Sequence, residues 1–306
     1  MSAPLRIGTR GSELALWQAG WVRDRLARAG IDATLVIITT QGDADVDRPL
    51  HELAGTGFFT KGIEDALLEE RIDLAVHSLK DLPTSLPPGL ALAAVPERAD
   101  PADALVAPGA APTVLELPPG ARVGTSSLRR VAQLRYLRPD LEVRPLRGNV
   151  PTRVAKVRRG GDLDAALLAL AGLERLGLAG EARRLDPLEV MPAPGQGALG
   201  LETRTADRRA RAAVAPLHDP GVASAVTAER ALLAALGGGC QAPVGAYVAR
   251  AGGARGGPRL YGRVTAPDGS VQCTASRDLS PEDPLGAGRA VADLLAAQGA
   301  LEFLAR

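Results

Sequence analysis

The chain has 306 residues, 46% hydrophobic and 23% charged, the balance of a folded globular protein and enough length for two or three domains. Lysine and arginine number 36 against 35 aspartates and glutamates, which excludes a global field that would recruit nucleic acid or a membrane surface. Two cysteines with no CxxC, and three histidines far apart in sequence, give no metal-site spacing. Arginine dominates the cations, the only lysines being Lys61, Lys80 and Lys156. With Ala, Gly and Pro also abundant, arginine content alone is not a binding signal. Met1–Arg6 lacks the charged and apolar regions of a secretory leader, and no apolar run approaches the ~20 residues of a membrane helix. A cytoplasmic monomer with no membrane or nucleic-acid partner is expected.

From the N-terminus, Leu5 to Thr9 is a short apolar strand. Ser12 is a helix N-cap, and Glu13 to Ala29 reads as an amphipathic helix ended by Gly30. Ala33 to Thr39 is β-branched and strand-like, Gly62 to Glu70 helical, and Ile72 to His77 a buried strand. This alternation predicts a parallel or mixed sheet covered by helices. Pro and Ala from Pro96 to Pro119 mark a crossing between domains, after which a second unit starts as the first did. It has a strand at Arg122 to Gly124, a capping Thr125-Ser126-Ser127 and a helix from Leu128 to Leu137. Leu141 to Leu146 and Ala165 to Leu170 are further strands, and Met191 to Glu202 reads as a return crossing. A helix from Val222 to Leu236, a hairpin-like region and a helical Pro284 to Arg306 make a small α+β domain.

The chemistry-bearing residues gather at strand ends. Thr9-Arg10-Gly11-Ser12 and Thr125-Ser126-Ser127-Leu128-Arg129-Arg130 both lead from a strand into a helix N-terminus. There, free N–H groups, hydroxyls and guanidinium groups suit an anion. Capping hydroxyls with solvent-facing arginines fit either loop taken alone. Ser78-Leu79-Lys80-Asp81-Leu82-Pro83 follows a strand directly, where open α/β sheets bind ligands. Asp81 suits a general acid or the stabilisation of a developing cation, and Lys80 an acidic substituent; a surface turn led by Pro83 fits the same residues. Arg147, Arg153 and Arg175 lie on loops after two further strands, a pattern suited to a ligand with several carboxylates. Cys240 ends Leu236-Gly237-Gly238-Gly239-Cys240, where three glycines strip bulk from around the thiol. No local histidine activates it, so a permanent tether fits better than a turnover nucleophile. Cys273, in a strand-like stretch, reads as structural.

These motifs together resemble the porphobilinogen deaminase (hydroxymethylbilane synthase) family. The resemblance runs nearly end to end through residues 9–18, 75–83, 124–130, 146–150, 171–177, 194–197 and the Gly-Gly-Cys loop. It implies an α/β fold of two periplasmic-binding-protein-like domains around a cleft plus a smaller C-terminal α+β domain. Domain 1 would comprise 1–98 with 197–216, domain 2 103–192 and domain 3 219–306. It implies a dipyrromethane cofactor on Cys240 and a head-to-tail condensation of four porphobilinogens with loss of ammonia. By the same resemblance, Asp81 is catalytic, while Ser12, Ser78, Lys80, Thr125, Ser127, Arg129, Arg130 and Gly148 contact the cofactor. Arg10, Gln18, Phe59, Arg147, Arg153 and Arg175 contact substrate. Thr56 departs from the lysine that many members carry in a loop over the cleft. Two rivals share parts of this pattern: a non-enzymatic two-domain binding protein, and a cysteine-nucleophile transferase with His77 or His218 beside Cys240.

Overall fold

In the computed structural model, which describes residues 3–39, 60–109, 113–239, 242–253 and 256–304, short parallel strands alternate with helices from the start. The order is β1 (Leu5–Thr9), α1 (Glu13–Arg28), β2 (Ala33–Ile37), α2 (Lys61–Leu68), β3 (Leu74–Ser78), β4 (Leu90–Ala94), β5 (Asp103–Val106), β6 (Arg122–Gly124), α3 (Leu128–Leu137), β7 (Glu142–Arg144), α4 (Val150–Arg158), β8 (Ala165–Ala169), α5 (Leu170–Arg175) and β9 (Ala182–Arg184). Then follow β10 (Leu199–Arg204), α6 (Arg208–Val214), α7 (Pro220–Ala235), β11 (Val244–Ala249), β12 (Arg259–Thr265), β13 (Gln272–Asp278), α8 (Pro284–Ala297) and α9 (Leu301–Leu304). The chain divides into two compact units, Met1–Ala99 with Ala198–Ala223, and Asp100–Gly197 with Ser224–Arg306.

The first unit holds a five-stranded sheet, β2-β1-β3-β10-β4, in which β1 runs parallel to β2 and β3, and β10 antiparallel to β3 and β4. The second holds a sheet of the same plan, β7-β6-β8-β5-β9, together with the antiparallel sheet β11-β12-β13. The expected mixed α/β class with a small α+β portion is therefore present. Register makes the first two sheets comparable residue by residue. Ile7 faces Leu74 as Val123 faces Ala165, and Gly200 faces His77 as Ala104 faces Leu168. Even the ion pairs match. Asp73 accepts from the Arg6 backbone N at 2.9 Å and Nη2 at 2.6 Å, and Asp164 accepts from Arg122 N at 2.8 Å and Nη2 at 2.7 Å.

Apolar side chains of the strands meet one stripe of each helix. Leu5, Ile7, Leu74, Leu199 and Leu201 pack against Ala19, Val22 and Leu26 of α1, at helical spacing. In the third sheet, Leu260 and Val264 meet Leu232 of α7 and Val291 and Leu295 of α8, with Cys273 buried among them as a packing residue. Gly8 and Gly124 occupy the same place in the twin sheets because core side chains fill the space of a Cβ. An added Cβ at Gly8 would overlap Ile72, and one at Gly124 would lie 2.8 Å from Leu163 and 2.9 Å from Leu146. Gly124→Ala is expected to cost about 1–3 kcal/mol by overpacking, read as a lower midpoint in thermal unfolding.

Two local expectations need correction. Ser127 occupies the N-cap position of α3, but its side chain makes no cap bond. Ser126 instead closes on the neighbouring strand end, its Oγ 3.0 Å from both the O and the N of Leu146. The return crossing stops short of Leu199, because Leu199 to Glu202 belong to β10, where Leu199 and Leu201 alternate into the core. The proline and glycine content of 191–197 had extended the crossing too far.

Candidate active site

In the first unit, β1 and β3 lie side by side and deliver their C-terminal ends together. After Thr9 the chain passes Arg10 and enters α1, where the Ser12 Oγ accepts from Ala15 N at 3.3 Å. After Ser78 it makes one 3-10 turn, Leu79–Asp81. Leu79 and Leu82 are buried, and Leu79 N donates to Ala198 O at 3.0 Å, so both ends of the turn are anchored while Asp81 between them is exposed. Gln18, buried on α1, donates through Nε2 to Ser78 Oγ at 2.8 Å and ties the two strand ends together. Arg10, Ser12, Gln18, His77, Ser78 and Asp81 line one pocket, with Thr60 and Ile63 closing it from the start of α2. Lys80 is half-buried on the same turn. The result is a carboxylate and a guanidinium at the strand ends of an open α/β sheet, beside the N-terminus of a 16-residue helix, a setting for a ligand that is anionic at one end and basic at the other.

In the second unit, the arginines of α3 turn inward. Arg129 and Arg130 are 3% and 6% exposed and share the fully buried Asp103 at the head of β5. Arg129 Nη1 donates to Asp103 Oδ2 at 2.8 Å and to Met191 O at 2.5 Å; Arg130 Nη2 donates to Asp103 Oδ1 at 2.7 Å and Nη1 to Leu167 O at 3.1 Å. Gln196 of the return crossing adds a bond to the same Asp103 oxygen at 2.7 Å. Burial pushes the Asp103 carboxyl up, but the two guanidinium charges outweigh it and hold the group well below the usual carboxylate range. One carboxylate against two guanidinium groups leaves a net positive charge. The Nε atoms of both arginines are buried without a hydrogen-bond partner among the described residues.

Thr125 is buried and accepts from Ser127 N at 3.3 Å. Gly148, at φ +112°, turns the chain so that its carbonyl accepts from Arg153 Nε at 2.8 Å, while Asn149 caps α4 through Thr152 N at 2.9 Å. The Arg147 carbonyl accepts from Lys156 Nζ at 3.2 Å. Arg175, at the end of α5, donates to Gly197 O at 2.7 Å; burial brings its guanidinium down to about 10, still charged at neutral pH. Arg129, Arg130 and Thr125 thus sit deeper than strand-end loops suggest; Arg153 lies within α4 and Arg175 at the end of α5 rather than on loops, and both are half-buried like Arg10 and Arg147, while Asp81 is exposed. Cys240, Phe59 and Thr56 lie outside the described residues.

Sequence reasoning missed Asp103, Gln196, Glu64 and Glu202. A charged residue entering the all-buried strand Asp103–Val106 was the available signal for the first. Glu202 carried a similar mark within Leu199–Arg204. Among the described residues, no helix is long and apolar enough to cross a membrane, and no three His, Cys, Asp or Glu side chains are grouped to hold a metal ion.

The family description "Porphobilinogen deaminase, dipyromethane cofactor binding domain" matches residues 5–212, and "Porphobilinogen deaminase, C-terminal domain" matches residues 223–297. A porphobilinogen deaminase of Roseiflexus sp. (strain RS-1) is 51% identical over 309 residues, covering all of both chains. That of Moorella thermoacetica is 48% identical over 303 residues, covering 98% of this chain and 95% of the relative. Among solved structures, an ABC transporter periplasmic substrate-binding protein of Coxiella burnetii aligns with 72% of this chain and 94% of its own, at 16% identity and a TM-score of 0.44. With both halves matched in order and half the residues shared with full-length relatives, the chain belongs to the porphobilinogen deaminase family, dipyrromethane-dependent enzymes that polymerise porphobilinogen into hydroxymethylbilane.

Proposed function

We propose that Asp81 carries the proton chemistry of this polymerisation and that Cys240 holds the dipyrromethane through a thioether. The observation behind the Asp81 reading is asymmetry between the twin sheets. Three residues beyond the end of β3 stands an exposed carboxylate; three beyond the end of β8 stands the buried Gly172. A carboxylate on only one of two matching strand ends serves something other than the fold. At that position Asp81 holds a proton at the substrate's aminomethyl nitrogen as the C–N bond breaks. Its charge then stabilises the cation that develops on the substrate pyrrole.

The cofactor suits this donor set. Its acetate and propionate arms are anions, and the Arg129–Arg130–Asp103 cluster has an unbalanced positive charge with two unpartnered Nε atoms. Arg129, Arg130, Thr125, Ser127, Gly148, Ser12, Ser78 and Lys80 are the residues that hold it. When bound, the dipyrromethane supplies the free pyrrole carbon to which the first porphobilinogen is joined. Arg10, Arg147, Arg153 and Arg175 hold the carboxylates of incoming substrate and growing product, and Gln18 and Phe59 line the path of the substrate. The three sheets support a division into domains 1–98 with 197–216, 103–192 and 219–306. The enzyme works as a cytoplasmic monomer with porphobilinogen as its partner, and analytical ultracentrifugation checks the monomer.

Intact-mass analysis tests the anchor. Wild-type holoenzyme carries a stable two-pyrrole adduct that gains further pyrrole masses when porphobilinogen is added, and Cys240→Ser loses it. An unchanged adduct on Cys240→Ser moves the attachment to another residue.

A further inference from the structure

Behind the Asp81 pocket lies a group of ionisable side chains that no step so far employs. His77 Nε2 and Glu202 Oε2 are 2.9 Å apart, with both side chains buried. Glu64 on α2 is 6% exposed, and burial, with the charge of Glu202 adding to it, pushes its carboxyl up from the ordinary range. Oε1 of Glu64 and Oε1 of Glu202 are both buried without a hydrogen-bond partner among the described residues. The cluster has two ends. His77 lines the pocket shared with Asp81, whereas Glu64 lines a separate open groove with Lys61, Asp65, Pro83, Ser85 and Pro87.

The twin sheet shows that the fold does not require these charges. By strand register, His77 corresponds to Leu168 and Glu202 to Val106, both buried and apolar. A buried ionisable pair is also weak support for stability, since well-packed apolar residues often serve as well or better. The reaction, however, has a proton to dispose of. Each addition forms one C–C bond between the substrate's aminomethyl carbon and a pyrrole carbon. The C–N bond breaks with its electron pair going to nitrogen, and the ring C–H bond breaks with its pair kept by the ring. A substrate that enters as an ammonium therefore yields ammonia and one proton each time.

We propose that His77, Glu202 and Glu64 form a proton-holding site that takes this proton from the Asp81 pocket at the His77 end and releases it to solvent at the Glu64 groove. Charged groups on the surrounding elements, among the described residues, come from α2, β10, β1, the approach to β3 and the pocket itself. These are Lys61 and Asp65 on α2, Arg204 on β10, whose Nη1 donates to Leu67 O and Ile72 O, the pair of Arg6 on β1 and Asp73 just before β3, and Arg10 with Asp81 at the pocket. Strand β4 contributes no titratable side chain and α1 presents uncharged Gln18. The proposal rests on the reaction taking place at Asp81.

The test uses holoenzyme variants. Glu64→Gln is expected to lower kcat about ten-fold with KM nearly unchanged, and to lose the acid limb of the kcat–pH profile. His77→Leu combined with Glu202→Val copies the twin sheet and is expected to keep or raise Tm while losing kcat. A second readout needs no turnover. A carboxyl raised in the folded state holds a proton that the unfolded chain lacks, so its contribution is full below the ordinary carboxylate range and falls as pH rises through the folded value. The Tm of Glu64→Gln should therefore gain on wild type as pH rises above the ordinary carboxylate range. A Glu64→Gln rate profile superimposing on wild type, an apolar pair with full turnover, or parallel Tm–pH curves would each overturn the proposal. Turnover retained by Asp81→Asn would instead overturn the placement of the reaction, leaving the Tm result at Glu64 intact.

Discussion

Asp81→Asn should keep the fold and lower ammonia release by about 10²–10⁴-fold, the contribution of one positioned acid–base group. Asparagine preserves size and shape but neither carries charge nor exchanges a proton at the leaving nitrogen. Because Asp81 is exposed and its turn is held by buried Leu79 and Leu82, the thermal midpoint should hardly move. Ammonia release measured beside a calorimetric scan separates loss of chemistry from loss of structure. Near-normal turnover at a normal midpoint would remove Asp81 from the mechanism.

The largest stability effect is expected at Asp103. Asp103→Ala leaves Arg129 and Arg130 buried against each other with no counter-charge, and breaking a buried pair in this way costs about 3–5 kcal/mol. Chemical denaturation should show it as a lower midpoint. The pH dependence has a definite sign. The folded carboxyl lies below its unfolded value, so its stabilisation is complete above the ordinary carboxylate range and is lost as pH falls toward the folded value. Wild type and Asp103→Ala should therefore converge on acidification below about pH 4. Curves that stay apart would mean that lost packing, not lost charge, dominates. Asp103 and Gln196 also join the outgoing and returning crossings, since Gln196 Nε2 bonds Pro101 O at 2.8 Å as well as Asp103. The arginine pair is thereby locked to the segments that lead into and out of its sheet.

Local signals served well where the physics is local. Ser12 before an amphipathic run starts α1, and Gly30, at φ +75°, follows its end. The repeated strand–Gly-Thr–helix pattern anticipated two sheets of one plan. Strands such as β5 and β9, too short to show a period and bordered by Pro or charge, passed unnoticed. Arg129 and Arg130 looked like strand-end cations open to a ligand. They are buried because Asp103, 26 and 27 residues earlier, meets them only once β5 pairs with β8.

By itself the sequence determined the family, the alternation of strands and helices, and the placing of Asp81 and Arg10 at strand ends. Each of these is written in short contiguous motifs whose residues act on their own neighbours. The tertiary structure alone decided which charges face one another. Glu202 reaches His77 across 125 residues because β10 returns antiparallel to β3, and the twin sheet fills the same register with Leu168 and Val106. Pairing over such separations depends on sheet order, and sheet order is set by which apolar faces can be buried together rather than by any one segment.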